Sequence, residues 1–329
     1  MSILIIAEAG VNHNGDMDTA LRMIDAAKEA KADIVKFQVS ITSTSKFSEK
    51  AEYQKKAVGE EGSQLDMIKK LRFTFEQHKQ LKEYCDSVGI KYLATPFDFE
   101  SICFLDSIGC DFWKVPSGEI INVPYLRRIG ATGKDIIMST GMSTLDEISD
   151  AISLLKESGS GEITLLQCTT EYPTPYKDVN LKAMETLKST FGTKVGFSDH
   201  SLGIEVPIAA AALGASVIEK HFTLDRSMPG PDQKSSIEPD ELKAMISSIR
   251  NIELALGDGA KTRRKGEIEN MQAARKSIVA SRDIKKGEIL TEENIVPRHA
   301  GKGISPKLWD KVIGTAAIRD FIEDEMIEM

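Results

Sequence analysis

Two rhythms of apolar and polar positions alternate along most of this chain. Short runs rich in β-branched residues end in polar side chains, then yield to stretches where apolar residues recur every three or four positions. The strand-like runs lie at residues 3–9, 33–39, 91–97, 112–117, 135–140, 163–169, 194–198 and 216–222. Helical periodicity occupies the intervals, as at 18–30, 75–88, 145–157 and 204–213, and 238–256 ends the series. Eight βα units over about 250 residues predict an α/β chain folded as a (β/α)8 TIM barrel.

An open, doubly wound sheet has the same local rhythm, but it gathers ligand groups at one switch point. Here every candidate strand carries polar residues at its C-terminal end. These are Glu8, Lys36 with Gln38, Thr95, Lys114 with Ser117 and Glu119, Ser139, Thr170 with Tyr172, Ser198 with Asp199 and His200, and His221. A closed ring aims them at one mouth, so the barrel (1–257) is the expected domain. Residues 258–276, charged and interrupted by glycine, read as a linker. Residues 277–329 read as a small module of short strands and turns, with too little core to stand without another surface.

Composition narrows the function classes. Acidic residues outnumber basic ones 50 to 42, intermixed, for a net charge of -8. With no basic patch, a nucleic-acid partner is not expected, and an anionic ligand must rely on local cations and backbone N–H groups. Cys85, Cys103, Cys110 and Cys168 lack CxxC spacing and read as reduced, buried thiols. Glu8 breaks the first apolar run, and no run nears the roughly 18 residues of a membrane span, so a cytoplasmic protein without a membrane partner is expected.

His200 and His221 end consecutive strands about 5 Å apart, where two imidazoles either share a divalent cation or are satisfied structurally. Lys36 and Lys114, with Ser139, Ser117 and the N–H-rich turns beside them, fit a phosphate cradle. The alternative for 139–143 is ordinary helix capping. Glu8 and Glu119 are carboxylates that either transfer protons and bind hydroxyls or pair with the lysines. His13 and Asn14-Gly15 read as a turn, His78 as solvated helix surface, Trp113 and Trp309 as core, and 285–288 as a hairpin turn. Neither a GxGxxG nor a GxSxG motif is present.

Taken in order, the motifs Ile-Ala-Glu-Ala-Gly-Val-Asn-His-Asn-Gly (6–15), Val-Lys-Phe-Gln (35–38), Lys-Val-Pro-Ser-Gly-Glu (114–119), Ser-Thr-Gly-Met (139–142), Tyr-Pro-Thr-Pro-Tyr (172–176), Ser-Asp-His (198–200), Lys-His-Phe-Thr (220–223) and Pro-Gly-Pro-Asp (229–232) resemble the sialic acid synthase family. That family comprises N-acetylneuraminate synthase and its legionaminate and pseudaminate relatives. The resemblance implies a TIM barrel followed by an antifreeze-like (β-clip) domain at 277–329, which in a domain-swapped homodimer covers the partner's site. It implies condensation of phosphoenolpyruvate with an N-acylated hexose, with phosphate released by C–O cleavage.

By the same resemblance, His200 and His221 hold Mn²⁺, Mg²⁺ or Co²⁺, and Lys36, Lys114, Ser117, Ser139 and Ser198 cradle phosphoenolpyruvate. Glu8, Gln38, Thr95, Tyr172, Asp232 and Arg298 contact the sugar, Arg298 from the small domain. Glu119 directs the attacking water, and Glu8 is the second catalytic carboxylate. Cys-Thr-Thr-Glu-Tyr (168–172) looks more like the legionaminate branch. The segment from Arg298, Arg-His-Ala-Gly-Lys-Gly-Ile, departs from the family's Arg-Pro-Gly-x-Gly-Ile. A pseudaminate synthase, a metal-dependent sugar aldolase or isomerase, and a non-catalytic sugar-binding protein are the competing readings.

Overall fold

Each of the eight β-rich runs forms a strand in the computed structural model, which describes residues 2–41, 43–59 and 61–329. They are β1 (Leu4–Gly10), β2 (Ile34–Val39), β3 (Lys91–Pro96), β4 (Trp113–Val115), β5 (Ile136–Ser139), β6 (Ile163–Gln167), β7 (Lys194–Asp199) and β8 (Val217–His221). The helices between them are α1 (Met17–Glu29), α2 (Glu52–Val58), α3 (Gln64–Leu71), α4 (Phe75–Val88), α5 (Phe99–Ser107), α6 (Val123–Gly130), α7 (Leu145–Glu157), α8 (Ala183–Phe191), α9 (Glu205–Ala212) and α10 (Pro239–Leu256). Local chemistry sets their ends. Asp16 accepts the Thr19 N–H ahead of α1, and Thr144 and Glu147 form a reciprocal capping box at the start of α7.

The strands pair in parallel in the order β3-β2-β1-β8-β7-β6-β5-β4. The two ends of that order, β3 and β4, approach within 8 Å at Cα, so the sheet curls into a (β/α)8 barrel. Its outer strand faces pack on the helices through residues such as Ile5, Val35, Phe37, Trp113, Phe197 and Ile218, against Met23, Ile24, Leu81 and Leu242. Inside the ring, Ile6, Ile34, Leu93, Ile137, Leu166 and Val217 form a separate apolar floor. Burying each such side chain contributes about 1.5–3 kcal/mol.

The two-residue period of a strand then dictates what stands above that floor. Two positions on from Ile6, Ile34, Leu93, Ile137 and Val217 come Glu8, Lys36, Thr95, Ser139 and Glu219. Polar groups are thereby stacked at the C-terminal mouth, and the apolar layer seals the barrel beneath them. On β7 the floor position is Gly196, where a Cβ would lie 2.4 Å from the Val217 carbonyl oxygen and 2.6 Å from Leu166 Cδ2.

Residues 258–329 form a second compact unit. Here β9 (Ser277–Ala280) pairs antiparallel with β10 (Ile295–Arg298), and a short helix spans Trp309–Val312. Ile278, Ile284, Leu290, Ile295, Val312 and Phe321 belong to one small hydrophobic cluster within this module. The stretch read as linker contains a helix, Lys265–Ala274, with Glu267 accepting the Arg264 N–H. None of its residues is buried, so it carries no apolar stripe to betray it. A turn is present at 285–288, with Gly287 at φ +86°, but it is not the expected hairpin: Ile284 and Ile289 on either side of it bridge to Phe321 and Ala316 and not to each other. No helix among the described residues is long and apolar enough to cross a membrane.

Candidate active site

One cavity of about 320 Å³ opens at the C-terminal mouth of the barrel. Its lining includes Glu8, Lys36, Gln38, Thr95, Lys114, Ser117, Ser139, Tyr172, Ser198, His200, His221 and Asp232, gathered from seven strands and the segments that follow β4, β6, β7 and β8. Register explains the convergence: Glu8 lies level with Lys36 on one side and with His221 on the other, and Gln38 lies level with Thr95.

At its centre four buried charges balance. Lys36 Nζ lies 2.9 Å from Glu8 and 3.6 Å from Glu219, and it donates to Thr95 Oγ1 at 2.9 Å. Lys114 Nζ donates to Ser139 Oγ at 2.7 Å and lies 3.7 Å from Glu219, which also accepts from Ser198 Oγ at 3.1 Å. Burial raises the Glu219 carboxyl, yet Lys114 and Lys36 together prevail and hold it down at about 2. For Glu8 burial prevails over the pull of Lys36, lifting it to about 7. Burial lowers Lys114, whereas for Lys36 the two carboxylates overcome burial and raise it. Lys36 is thus saturated from within. Lys114, less well partnered, is the ammonium that an incoming anion would serve best.

The histidines meet at the same mouth, with ring centroids 5.3 Å apart. His200 Nδ1 donates to the Thr169 carbonyl at 2.8 Å, the second bond that leaves Nε2 as a lone-pair donor. Burial lowers both imidazoles, and His200 pushes His221 down further, so each is neutral. Among the described residues, His221 Nδ1 and Asp232 Oδ1 are buried with no hydrogen-bond partner, and Asp232 Oδ2 lies 4.0 Å from that nitrogen. Neutral imidazoles and an orphaned ring nitrogen fit a divalent cation whose remaining positions are filled by water or substrate. Among the described residues, no group of three or more His, Cys, Asp and Glu forms a complete cage. Tyr172 stacks obliquely on His200 at 4.1 Å and meets His221 edge-on at 5.7 Å, which fixes both ring planes.

Two of the expected site residues are not among those lining the cavity. Glu119 belongs to a short turn, Ser117–Glu119, beside the lining residues Ser117 and Gly118, where it is half-buried and accepts from Asn122 Nδ2 at 2.5 Å. Arg298 lies in the second unit, as expected, exposed and paired with Asp324. Asp199 faces away from the mouth: strand alternation turns it outward, where it accepts from Lys220 at 2.6 Å in a fully buried pair.

Two other readings change. His78, expected in solvent, is fully buried, with Nδ1 2.8 Å from the Tyr92 hydroxyl. The expected turn at His13 and Asn14-Gly15 is present, with His13 buried and stacked on Phe73 at 4.0 Å. Of the cysteines, Cys103 is exposed and Cys110 half-buried, while buried Cys168 lines the cavity with Sγ 3.2 Å from Ser117 Oγ.

The residue-by-residue reading missed Glu219, which sits between the two lysines. Period-two counting back from His221 on β8 points to it, because residues 217, 219 and 221 share a face. It also missed Tyr53, stacked on Tyr172 at 4.7 Å, and the half-buried face of α3. No local signal marks these, since the connection from β2 to α4 reaches the mouth only through the fold.

The chain matches two family profiles: the NeuB family over residues 23–261 and the SAF domain over 275–329. It is 48% identical to the N,N'-diacetyllegionaminic acid synthase of Campylobacter jejuni, with 98% of each chain covered. It is 46% identical to the enzyme of the same description from Legionella pneumophila, over 96% of this chain and 90% of that one. A crystal structure of N-acetylneuraminic acid synthetase from Leptospira borgpetersenii, in complex with citrate, matches with a TM-score of 0.72 and 37% identity, over 82% of this chain and 90% of the other.

Proposed function

The chain belongs to the NeuB family and carries a SAF domain, and on that footing we propose that it is a sialic-acid-type synthase condensing phosphoenolpyruvate with an N-acylated hexose. The observation that carries this reading is the pair of buried lysines facing two neutral histidines across one cavity. An anionic donor and an aldehyde acceptor need those two halves side by side. The acceptor class favoured by the relatives is the 2,4-diacetamido-2,4,6-trideoxymannose that leads to N,N'-diacetyllegionaminate, with N-acetylmannosamine as the other substrate in view.

Lys114, Ser139, Ser198 and Ser117 would hold the phosphate and carboxylate of the donor, with Lys36 kept in place by Glu8 and Glu219. Gln38, Thr95, Tyr172 and Asp232 would orient the open-chain sugar. His200 and His221 would hold a Mn²⁺-type cation, which when bound supplies electrophilic polarisation of the sugar aldehyde. The donor methylene carbon then attacks C1, water adds to the donor's C2, and phosphate departs with its bridging oxygen.

Glu8, with a carboxyl near neutrality at pH 7, is suited to exchange a proton during these steps. Glu119, next to the cavity-lining Ser117 and Gly118 and accepting from Asn122, would direct the attacking water.

The exposed apolar residues Phe99, Ile121, Met142, Tyr176 and Leu202 all follow strand C-termini, on the mouth side of the barrel. They support a homodimer in which the small domain of one protomer covers the mouth of the other and brings the partner subunit's Arg298 to the sugar. Phosphate release tests the proposal: purified protein should release phosphate only with phosphoenolpyruvate, an N-acylated hexose and a divalent cation together. In ¹⁸O water the label should enter the ketose product. Label in the phosphate, or sugar turnover without phosphoenolpyruvate, would overturn it.

A further inference from the structure

Helix α3 has an apolar face that no core covers. Gln64, Met67, Ile68 and Leu71 recur at i, i+3, i+4 and i+7, so they share one side of the helix, and all four line the cavity. None of its residues is buried, and none joins the hydrophobic clusters of the barrel. The helix is nonetheless well made, with Ser63 and Asp66 capping each other at its start. Val11 and Phe97, half-buried at the ends of β1 and β3, extend the same apolar wall. The adjacent charge, Arg72, also lines the cavity and donates to the Ile41 carbonyl at 2.6 Å.

This wall faces the cavity that also holds the lysines and histidines, so its occupant is part of whatever reacts there. With the acceptor's C1 at the histidines, the far end of its six-carbon chain must lie elsewhere in that cavity. A fully hydroxylated far end would lose water against aliphatic side chains without replacing its hydrogen bonds. A far end carrying a C6 methyl and a second acetyl group would instead bury two methyls there, with the Gln64 amide beside them to pair with an acylamino group.

We infer that Met67, Ile68 and Leu71 of α3 are specificity-determining residues that read the deoxy and acyl methyl groups of a 2,4-diacylamino-6-deoxyhexose. The inference rests on the synthase reading above. It goes beyond that reading by assigning the choice of acceptor to one helix face.

Phosphate release with phosphoenolpyruvate and Mn²⁺ tests it, using 2,4-diacetamido-2,4,6-trideoxymannose, its counterpart with a C6 hydroxyl, and N-acetylmannosamine. The native chain should favour the first over each of the others by roughly 10- to 100-fold in kcat/KM. Met67→Gln keeps side-chain size, and Ile68→Thr keeps the β-branch while replacing an ethyl group with a hydroxyl, both on a half-exposed helix. Each should narrow that preference to a few-fold while leaving KM for phosphoenolpyruvate unchanged.

Equal use of the three sugars by the native chain, or a preference unaltered in both variants, would overturn the inference and leave the synthase reading standing. A change of oligomeric state with sugar preference intact would also overturn it, assigning the wall to another protein surface. No phosphate release with any of the sugars would overturn both.

Discussion

Glu219 is the residue on which the charge balance of the cavity turns. Both lysines lean on it, at 3.6 and 3.7 Å, and its carboxylate has no solvent to share the load. Replacing it with glutamine keeps an oxygen for Ser198 but leaves two ammonium groups with Glu8 alone. Glu219→Gln should therefore lower the unfolding free energy by about 3 kcal/mol or more. Inorganic phosphate should raise the melting temperature of the variant more than that of the native protein, because the anion replaces the missing charge. Equal phosphate shifts in thermal denaturation would contradict the account.

His78 shows the opposite economy, a titratable group kept neutral. Burial depresses it from 6.5 to about 4, so below pH 6.5 the unfolded chain takes up a proton that the folded chain refuses until about pH 4. The stability present above pH 6.5 is lost as pH falls through that window, on the order of 3 kcal/mol at about 1.36 kcal/mol per unit. His78→Gln should flatten this acid limb in denaturant titrations between pH 7 and pH 4. Parallel curves would show that another group controls it.

At the scale of elements, β7 and β8 carry Ser198, Glu219 and His221, and His200 follows directly on β7, so their alignment sets the site. Gly196 permits that closeness, since any side chain there meets the backbone of β8. Gly196→Ala should destabilise the barrel by about 1–3 kcal/mol in thermal melts and lower turnover with it. A variant as stable as the native chain would show that the strands can part at no cost. The eight strands and the helices α1, α4, α7, α9 and α10 were readable because each has a period that shows in a few residues. The helix at 265–274 was not, because a helix exposed on every side has no stripe.

At the scale of the whole molecule, the small unit has one small hydrophobic cluster, and its Arg298 pairs locally with Asp324 while the proposed sugar site lies in the barrel. A swapped dimer makes a quantitative prediction. Arg298→Ala and His221→Ala should each be inactive or severely impaired alone. Subunit exchange between equal amounts should restore roughly a quarter of native turnover, because half the dimers are mixed and each holds one complete site. Absence of recovery after verified exchange would place the arginine's action within its own chain, or nowhere near the sugar.

The amino-acid pattern alone settles the barrel, since strand and helix periods are local and eight repeats of them admit few closures. It also reveals which strand ends carry lysine, serine and histidine. It does not reveal that Asp199 turns outward to Lys220, that Glu119 stays with Asn122 and that His78 is enclosed, because each depends on what the neighbouring element presents. Only the folded chain brings Glu219 between two lysines and the face of α3 to the mouth. Charge compensation and cavity walls arise between segments far apart in sequence, where no period connects them.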